Sequence, residues 1–135
     1  MNKQSLRPSR IMAGFYWVVV ALFSALEPWG KIDTRDFSYM GQGKFWEYNA
    51  YIVFVLASMV ALGVLLWNRR PGAKTAVWMA VANTMFAVMV LFDLLHFFPD
   101  PAQPLPFLVA VIEATTACTV LGMLWCIPGL LGKNS

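Results

Sequence analysis

Four long apolar stretches, separated by short polar segments, dominate the order of hydrophobic and polar positions along the chain. They predict helices at about 11–29, 48–67, 75–97 and 105–127. Each is about 20 residues long, which is the length that a helix needs to cross the hydrocarbon core of a bilayer. The four stretches use most of the 135 residues. We therefore predict one membrane domain over 1–135, an all-α, antiparallel bundle of four transmembrane helices joined by short loops.

Helix-breaking residues mark the ends of these stretches. Pro28 and Gly30 end the first, Pro71 and Gly72 follow the second, and Pro128-Gly129 closes the fourth. The longest polar segment is the connector 31–47, in which Gly41 and Gly43 argue against one continuous helix. Its several aromatic residues argue against a solvated loop, so we expect it to lie at the outer membrane surface.

The distribution of charge gives an expected orientation. Only 13% of residues are charged, against about 25% in soluble domains. Seven of the ten Lys and Arg residues fall in the termini and the second loop, and three in the first loop. Cytoplasmic loops collect these residues, so we expect a multi-pass protein of the plasma (inner) membrane with both termini cytoplasmic. No basic stripe with exposed aromatics suggests a nucleic-acid partner.

Small residues in the fourth stretch suggest how the helices pack. Transmembrane helices associate through close backbone approach and interhelical hydrogen bonds. We expect a ridge at intervals of four residues to pack inside the bundle and Val109 to face elsewhere. The ridge consists of Ala110, Ala114, Cys118 and Gly122. Asn83, in the third stretch, is predicted to make a hydrogen bond between helices.

Four ionisable residues fall within or at the edge of the predicted spans: Glu27, Asp93, His96 and Glu113. Asp93 and His96 are three residues apart and therefore share a helix face. At the helical rise per residue, Glu113 lies roughly 12 Å and Asp93 roughly 6 Å inside their helices. All four are thus predicted in the outer half of the bundle, and ionisable groups at such depth are functional candidates by default.

Three interpretations of this cluster remain open. The first is structural, with Glu27 and His96 facing interfacial water and Asp93 and Glu113 hydrogen-bonded to neighbours. The second is a proton or ligand pocket in which Glu113 is protonated or paired, because a bare carboxylate is costly there. The third is a metal site, although one histidine without a ligand-spacing motif leads us to assign none. We favour Glu113 as the central residue and expect it to face protein, because Ala110 and Ala114 belong to the predicted ridge.

Catalytic motifs do not emerge from the sequence. It contains no evident nucleophile–base pair, phosphate-binding loop, CxxC pair or haem motif, and its single histidine does not favour haem held between two histidines. We therefore assign no catalytic residue and no cofactor, and an enzyme is the less favoured class. The threonines at 115, 116 and 119 are expected to bond back to their own helix.

The layout resembles the small DoxX-like four-helix membrane proteins over about 14–90. The likeness rests on Gly30-Lys31 after the first helix, the aromatic connector, the basic turn Asn68-Arg69-Arg70 and the alanine-rich segment Ala73–Ala82. The chain departs from that family by having Val53–Leu56 where a glutamate is usual in the second helix. The resemblance implies a membrane component, linked in some members to redox or oxidative-stress systems.

The sequence therefore predicts a non-catalytic membrane component, an accessory or scaffolding subunit of a larger membrane complex. Four short helices with few polar groups rarely enclose a complete transport path, which favours this interpretation. The expected partners are the lipid bilayer and either other membrane subunits or further copies of the chain. The alternative is a proton- or small-molecule-handling protein, either a carrier or a quinone- or lipid-binding redox partner, which uses the acidic residues.

Overall fold

The computed structural model describes residues 7–26, 42–69, 71–95 and 106–132. Nearly all of them belong to four helices: α1 (Arg7–Leu26), α2 (Gln42–Asn68), α3 (Ala73–Leu94) and α4 (Phe107–Gly132). Each helix is long and apolar enough to cross a membrane. The four apolar helices that the hydrophobic pattern predicts are thus confirmed.

Two helix boundaries differ from those expected at glycine and proline positions. α2 begins at Gln42, so 42–47 of the predicted connector are helical despite Gly43. A glycine inside a helix costs only about 1 kcal/mol relative to alanine, which neighbouring residues readily offset. α4 continues through Pro128 to Gly132, since a proline near a helix end removes one hydrogen bond without ending the helix. The rest of the connector, 31–41, lies outside the described residues.

The helices surround a common apolar core. α1 packs against α2 and α4, and α3 packs against the same two helices from the other side. Phe23 and Phe86 meet edge to face in this core, with ring centroids 5.1 Å apart, a favoured aromatic geometry. The largest enclosed apolar side chains come from α1, α2 and α3, among them Tyr16, Phe23, Leu26, Ile52, Met59, Leu62, Met79 and Phe86.

Gly63 of α2 lies directly under a large side chain of α1. A Cβ atom placed on this glycine would overlap the Trp17 indole. The same indole lies against Trp67, with ring centroids 5.5 Å apart. Gly63 therefore provides the space in which a large aromatic side chain of α1 packs directly on the α2 backbone.

The start of α1 also binds the end of α2. The Ser9 hydroxyl donates hydrogen bonds to the carbonyls of Leu66 and Arg69, the latter at 3.0 Å. Arg10 donates from Nε to the Trp67 carbonyl at 3.2 Å, and its guanidinium lies 5.1 Å from the Trp67 ring centroid. The last carbonyls of a helix lack partners within that helix, so these side chains satisfy groups that α2 alone leaves unpaired.

The predicted small-residue ridge of α4 lies on the outside of the bundle. Ala114, Cys118 and Gly122 are exposed and Ala110 is half-buried. A Cβ atom on Gly122 would meet no atom within 4 Å. The expectation that this ridge packs inside the bundle is therefore wrong for the single chain.

The residues on the buried face of α4 are larger than those of the small-residue ridge, and two of them are polar. It consists of Val109, Glu113, Thr116, Val120, Met123 and Ile127. Val109, expected to face elsewhere, is fully buried. Apolar residues occur on every side of α4, so small-residue spacing alone does not identify its inner face. The two polar residues do, because Glu113 and Thr116 are better accommodated by protein than by an apolar surrounding.

Candidate functional site

Five polar side chains are buried among the apolar residues of the described helices: Ser9, Asn83, Asp93, Glu113 and Thr116. Ser9 belongs to the contact between α1 and α2. The other four come from α3 and α4, which are adjacent helices. Buried polar groups in proteins are mostly hydrogen-bonded, and Ser9, Asn83 and Thr116 make such bonds.

Asn83 links three helices through its side-chain amide. It receives a hydrogen bond on Oδ1 from the Tyr16 hydroxyl at 2.6 Å and donates from Nδ2 to the Val120 carbonyl at 2.9 Å. The predicted interhelical hydrogen bond of Asn83 is confirmed. Sequence reasoning missed Tyr16 as its partner, although a tyrosine within an otherwise apolar span was a usable signal, because a buried tyrosine hydroxyl usually finds a partner.

The two described acidic candidates lie in the core near the connection between α3 and α4. Asp93 is the last residue but one of α3 and is 2% exposed. Glu113 lies within the first two turns of α4 and is 1% exposed. Each of the two residues has an interaction partner. The structure therefore places both side chains inside the protein at corresponding ends of neighbouring helices.

Glu27 and His96, the other two predicted members of the cluster, lie outside the described residues. Glu113 faces protein, as expected. The expected reason, that Ala110 and Ala114 next to it pack inside the bundle, does not hold. Ala114 is exposed, so Glu113 lies on a different face of α4 from the exposed residues Ala114, Cys118 and Gly122. The acidic position itself was the better guide to the inner face.

The threonines next to Glu113 bond to their own helix. The Thr116 hydroxyl donates to the carbonyls of Ile112 at 2.8 Å and Glu113 at 2.9 Å. Thr115 and Thr119 make the corresponding bonds one turn back, at 2.7 and 2.8 Å. This confirms the expected local role, and their hydroxyl protons are used along α4 rather than across to α3.

The functional groups available at this site are the carboxyl groups of Asp93 and Glu113, which lie on adjacent helices. Over the described ranges, no three His, Cys, Asp or Glu side chains form a group able to hold a metal ion. A buried carboxyl can hold a proton or accept a hydrogen bond from a ligand. Cys118 and Cys126 are free thiols on the exposed face of α4, away from the two acids.

A family described as "Domain of unknown function (DUF8051)" matches residues 8–131. No curated protein and no solved structure matches the chain. The matched segment runs from the first turn of α1 to the last turn of α4, so it takes in the Asn83 contacts and both buried acids.

Proposed function

The chain belongs to the DUF8051 family, and we propose that it is an integral membrane protein with four antiparallel spans. The outer surface supports this proposal. Large apolar side chains are exposed on all four helices, including Phe15, Phe54 at 63%, Val77 at 64% and Trp125 at 87%. A water-soluble bundle would place polar residues on these outward faces.

The proposed orientation has the start of α1 and the turn between α2 and α3 on the cytoplasmic side of the plasma (inner) membrane. Arg10, Arg69 and Lys74 lie at that end of their helices, whereas Asp93 and Glu113 lie toward the connection between α3 and α4. Excess Lys and Arg on the cytoplasmic side is the usual determinant of orientation. Labelling single cysteines from either side of sealed vesicles tests this arrangement.

Within the membrane, we propose that the protein is a non-catalytic accessory or scaffolding component that binds another transmembrane helix through α4. One observation carries this proposal: Ala114, Cys118 and Gly122 line up on an exposed face. Small residues allow close backbone approach, which drives helix association in lipid. α4 is also the helix that the rest of the chain buries least. In its apolar segment 28% of the residues are buried, against 39% in each of the other three helices.

The test is a substitution that fits the single chain but obstructs a partner. Gly122→Leu has open space around it, so the variant is expected to fold normally and to lose its stoichiometric membrane partner on purification in mild detergent. Ala57→Leu, at an exposed position of α2, is the matched control and should retain the partner. The readouts are thermal stability and the composition of the purified complex.

Retention of the partner by Gly122→Leu would contradict the proposal. Loss of the partner from both variants would show that α4 has no special role. A second copy of this chain as the partner identifies a homo-oligomer, and a different polypeptide identifies a subunit of a larger complex.

The second candidate function is proton or small-molecule handling, favoured by the burial of Asp93 and Glu113 on adjacent helices. Glu113→Gln keeps the side-chain shape and mimics the protonated acid. If the site acts by ionisation, this variant is expected to fold with unchanged stability and to lose the protein's cellular role. A fully functional Gln variant would leave Glu113 a packing residue, and Glu113→Ala, which removes the contact, would then reduce stability by about 1–3 kcal/mol.

A further inference from the structure

A narrow cleft separates α2 from α3 on the outside of the bundle. Its walls include Phe54 and Ser58 of α2 and Trp78, Val81 and Met85 of α3. The space within the cleft is about 70 Å³ and is partly open to the outside, whereas sites for drug-sized molecules occupy roughly 300–1,000 Å³. The cleft is therefore suited to a thin apolar chain rather than to a compact ligand.

The two ends of the cleft differ, with a hydrogen bond between the helices near Met85 at one end and cationic residues beyond Trp78 at the other. The Tyr51 hydroxyl donates a hydrogen bond to the Met85 carbonyl at 2.8 Å, which joins the two helices beside the end of the cleft. In the opposite direction, Lys74 precedes Trp78 by one helical turn and so shares its face of α3. Arg69 follows the last residue of α2, and both cationic residues are exposed.

The charge around this opening is of one sign. Arg10 lies at the same end of the bundle, held to the Trp67 carbonyl. Of the residues that the structure describes, the acidic ones are Glu47 near the start of α2, Asp93 and Glu113, and none of them is at this end. Basic groups next to a groove between transmembrane helices are complementary to the phosphate of an anionic lipid headgroup.

The dimensions match one leaflet of a bilayer. From Lys74 to Met85 the rise along α3 is about 16 Å. Half of a typical hydrocarbon core is about 15 Å. An acyl chain whose headgroup lies at Lys74 therefore passes along the cleft wall from Trp78 and reaches the level of Met85.

We propose that the cleft between α2 and α3 binds one anionic phospholipid, its phosphate at Arg69 and Lys74 and one acyl chain along Trp78 and Ser58. This inference rests on the proposed membrane insertion. The apolar walls hold the chain, and the two cations select the headgroup.

The first test measures lipid selectivity at the cationic end. The full-length protein is equilibrated in mild detergent with equal amounts of phosphatidylglycerol and phosphatidylcholine of identical acyl chains, and bound lipid is counted by native mass spectrometry. One phosphatidylglycerol per chain is expected. Lys74→Gln and Arg69→Gln should each lower the preference about fivefold, whereas Lys44→Gln, a loss of charge at the other end of α2, should leave it unchanged.

The second test fills the cleft. Ser58→Phe places a ring where the acyl chain lies and should abolish retention of the lipid at unchanged thermal stability. Val77→Phe, at a 64% exposed position of α3 that is not part of the cleft wall, is the control and should bind normally. The inference would be overturned if Ser58→Phe and Val77→Phe retained the lipid equally. It would also be overturned if Lys44→Gln and Lys74→Gln reduced the preference for phosphatidylglycerol equally.

Membrane insertion is scored separately by extraction of membranes with alkaline carbonate. A chain that stays in the pellet without preferring phosphatidylglycerol retains its proposed membrane location and lacks the lipid site. A chain released by carbonate contradicts the membrane proposal itself.

Discussion

The two neighbours of α2 contact it in different ways. Toward α1, Gly63 admits the Trp17 indole, and Ser9 and Arg10 bind the terminal carbonyls of α2. Toward α3, Trp78 stands at a cleft. α2 and α3 are the pair joined by the shortest connection, yet they pack less closely than α2 does with α1. A short loop therefore does not by itself impose close packing.

The largest expected effect comes from removing the space at Gly63. Gly63→Leu forces the Trp17 indole off the α2 backbone, and we expect a loss of about 2–3 kcal/mol in the free energy of unfolding. Ala57→Leu, on an exposed part of the same helix, should change it by less than about 0.5 kcal/mol. Unfolding in mixed micelles measures both. Equal stabilities would remove Gly63 as the cause of the close approach.

A smaller effect is expected where α2 meets α3. Tyr51→Phe removes the hydrogen bond to the Met85 carbonyl and keeps the ring, so a loss of about 1 kcal/mol is expected in the same assay. A Tyr51→Phe loss as large as that of Gly63→Leu would show that both sides of α2 are equally tight, contrary to the comparison.

The smallest effect should come from filling the cleft. Ser58→Phe adds bulk to α2 on the side of α3, where space exists, and should change the unfolding free energy by no more than about 0.5 kcal/mol. Gly63→Leu adds bulk to the same helix on the side of α1 and is strongly destabilising. A large loss for Ser58→Phe would mean that α2 and α3 are closely packed, and the asymmetry would be refuted.

The four helices were predictable because an apolar run of about 20 residues has few other stable arrangements. Boundaries were less predictable, since Gly43 and Pro128 break helices only on average and both lie inside one here. The inner face of α4 was misassigned because its apolar residues surround the helix. The position of Glu113 identifies the buried face of α4, whereas the positions of the alanines do not.

The site was predictable in part. Asn83 was recognised because an amide within an apolar span needs a partner. Its partner Tyr16 was not, because pairing across helices depends on their rotation and register, which no local pattern specifies. Asp93 was recognised as a candidate because an ionisable residue within a predicted span is unusual. The cleft beside Trp78 arises from the relative placement of two helices and leaves no pattern in either one.

The amide of Asn83 has a consequence for the order of assembly during synthesis. The contacts between α1 and α2 use only residues that the ribosome has made before α3 begins, so they do not depend on the later helices. Asn83 can bind Tyr16 as soon as α3 joins them, but its Nδ2 finds its acceptor only in Val120 of α4. A nascent chain stopped before α4 therefore carries an unsatisfied amide donor in its core, and insertion of the last helix closes the polar link through which the protein becomes a single unit.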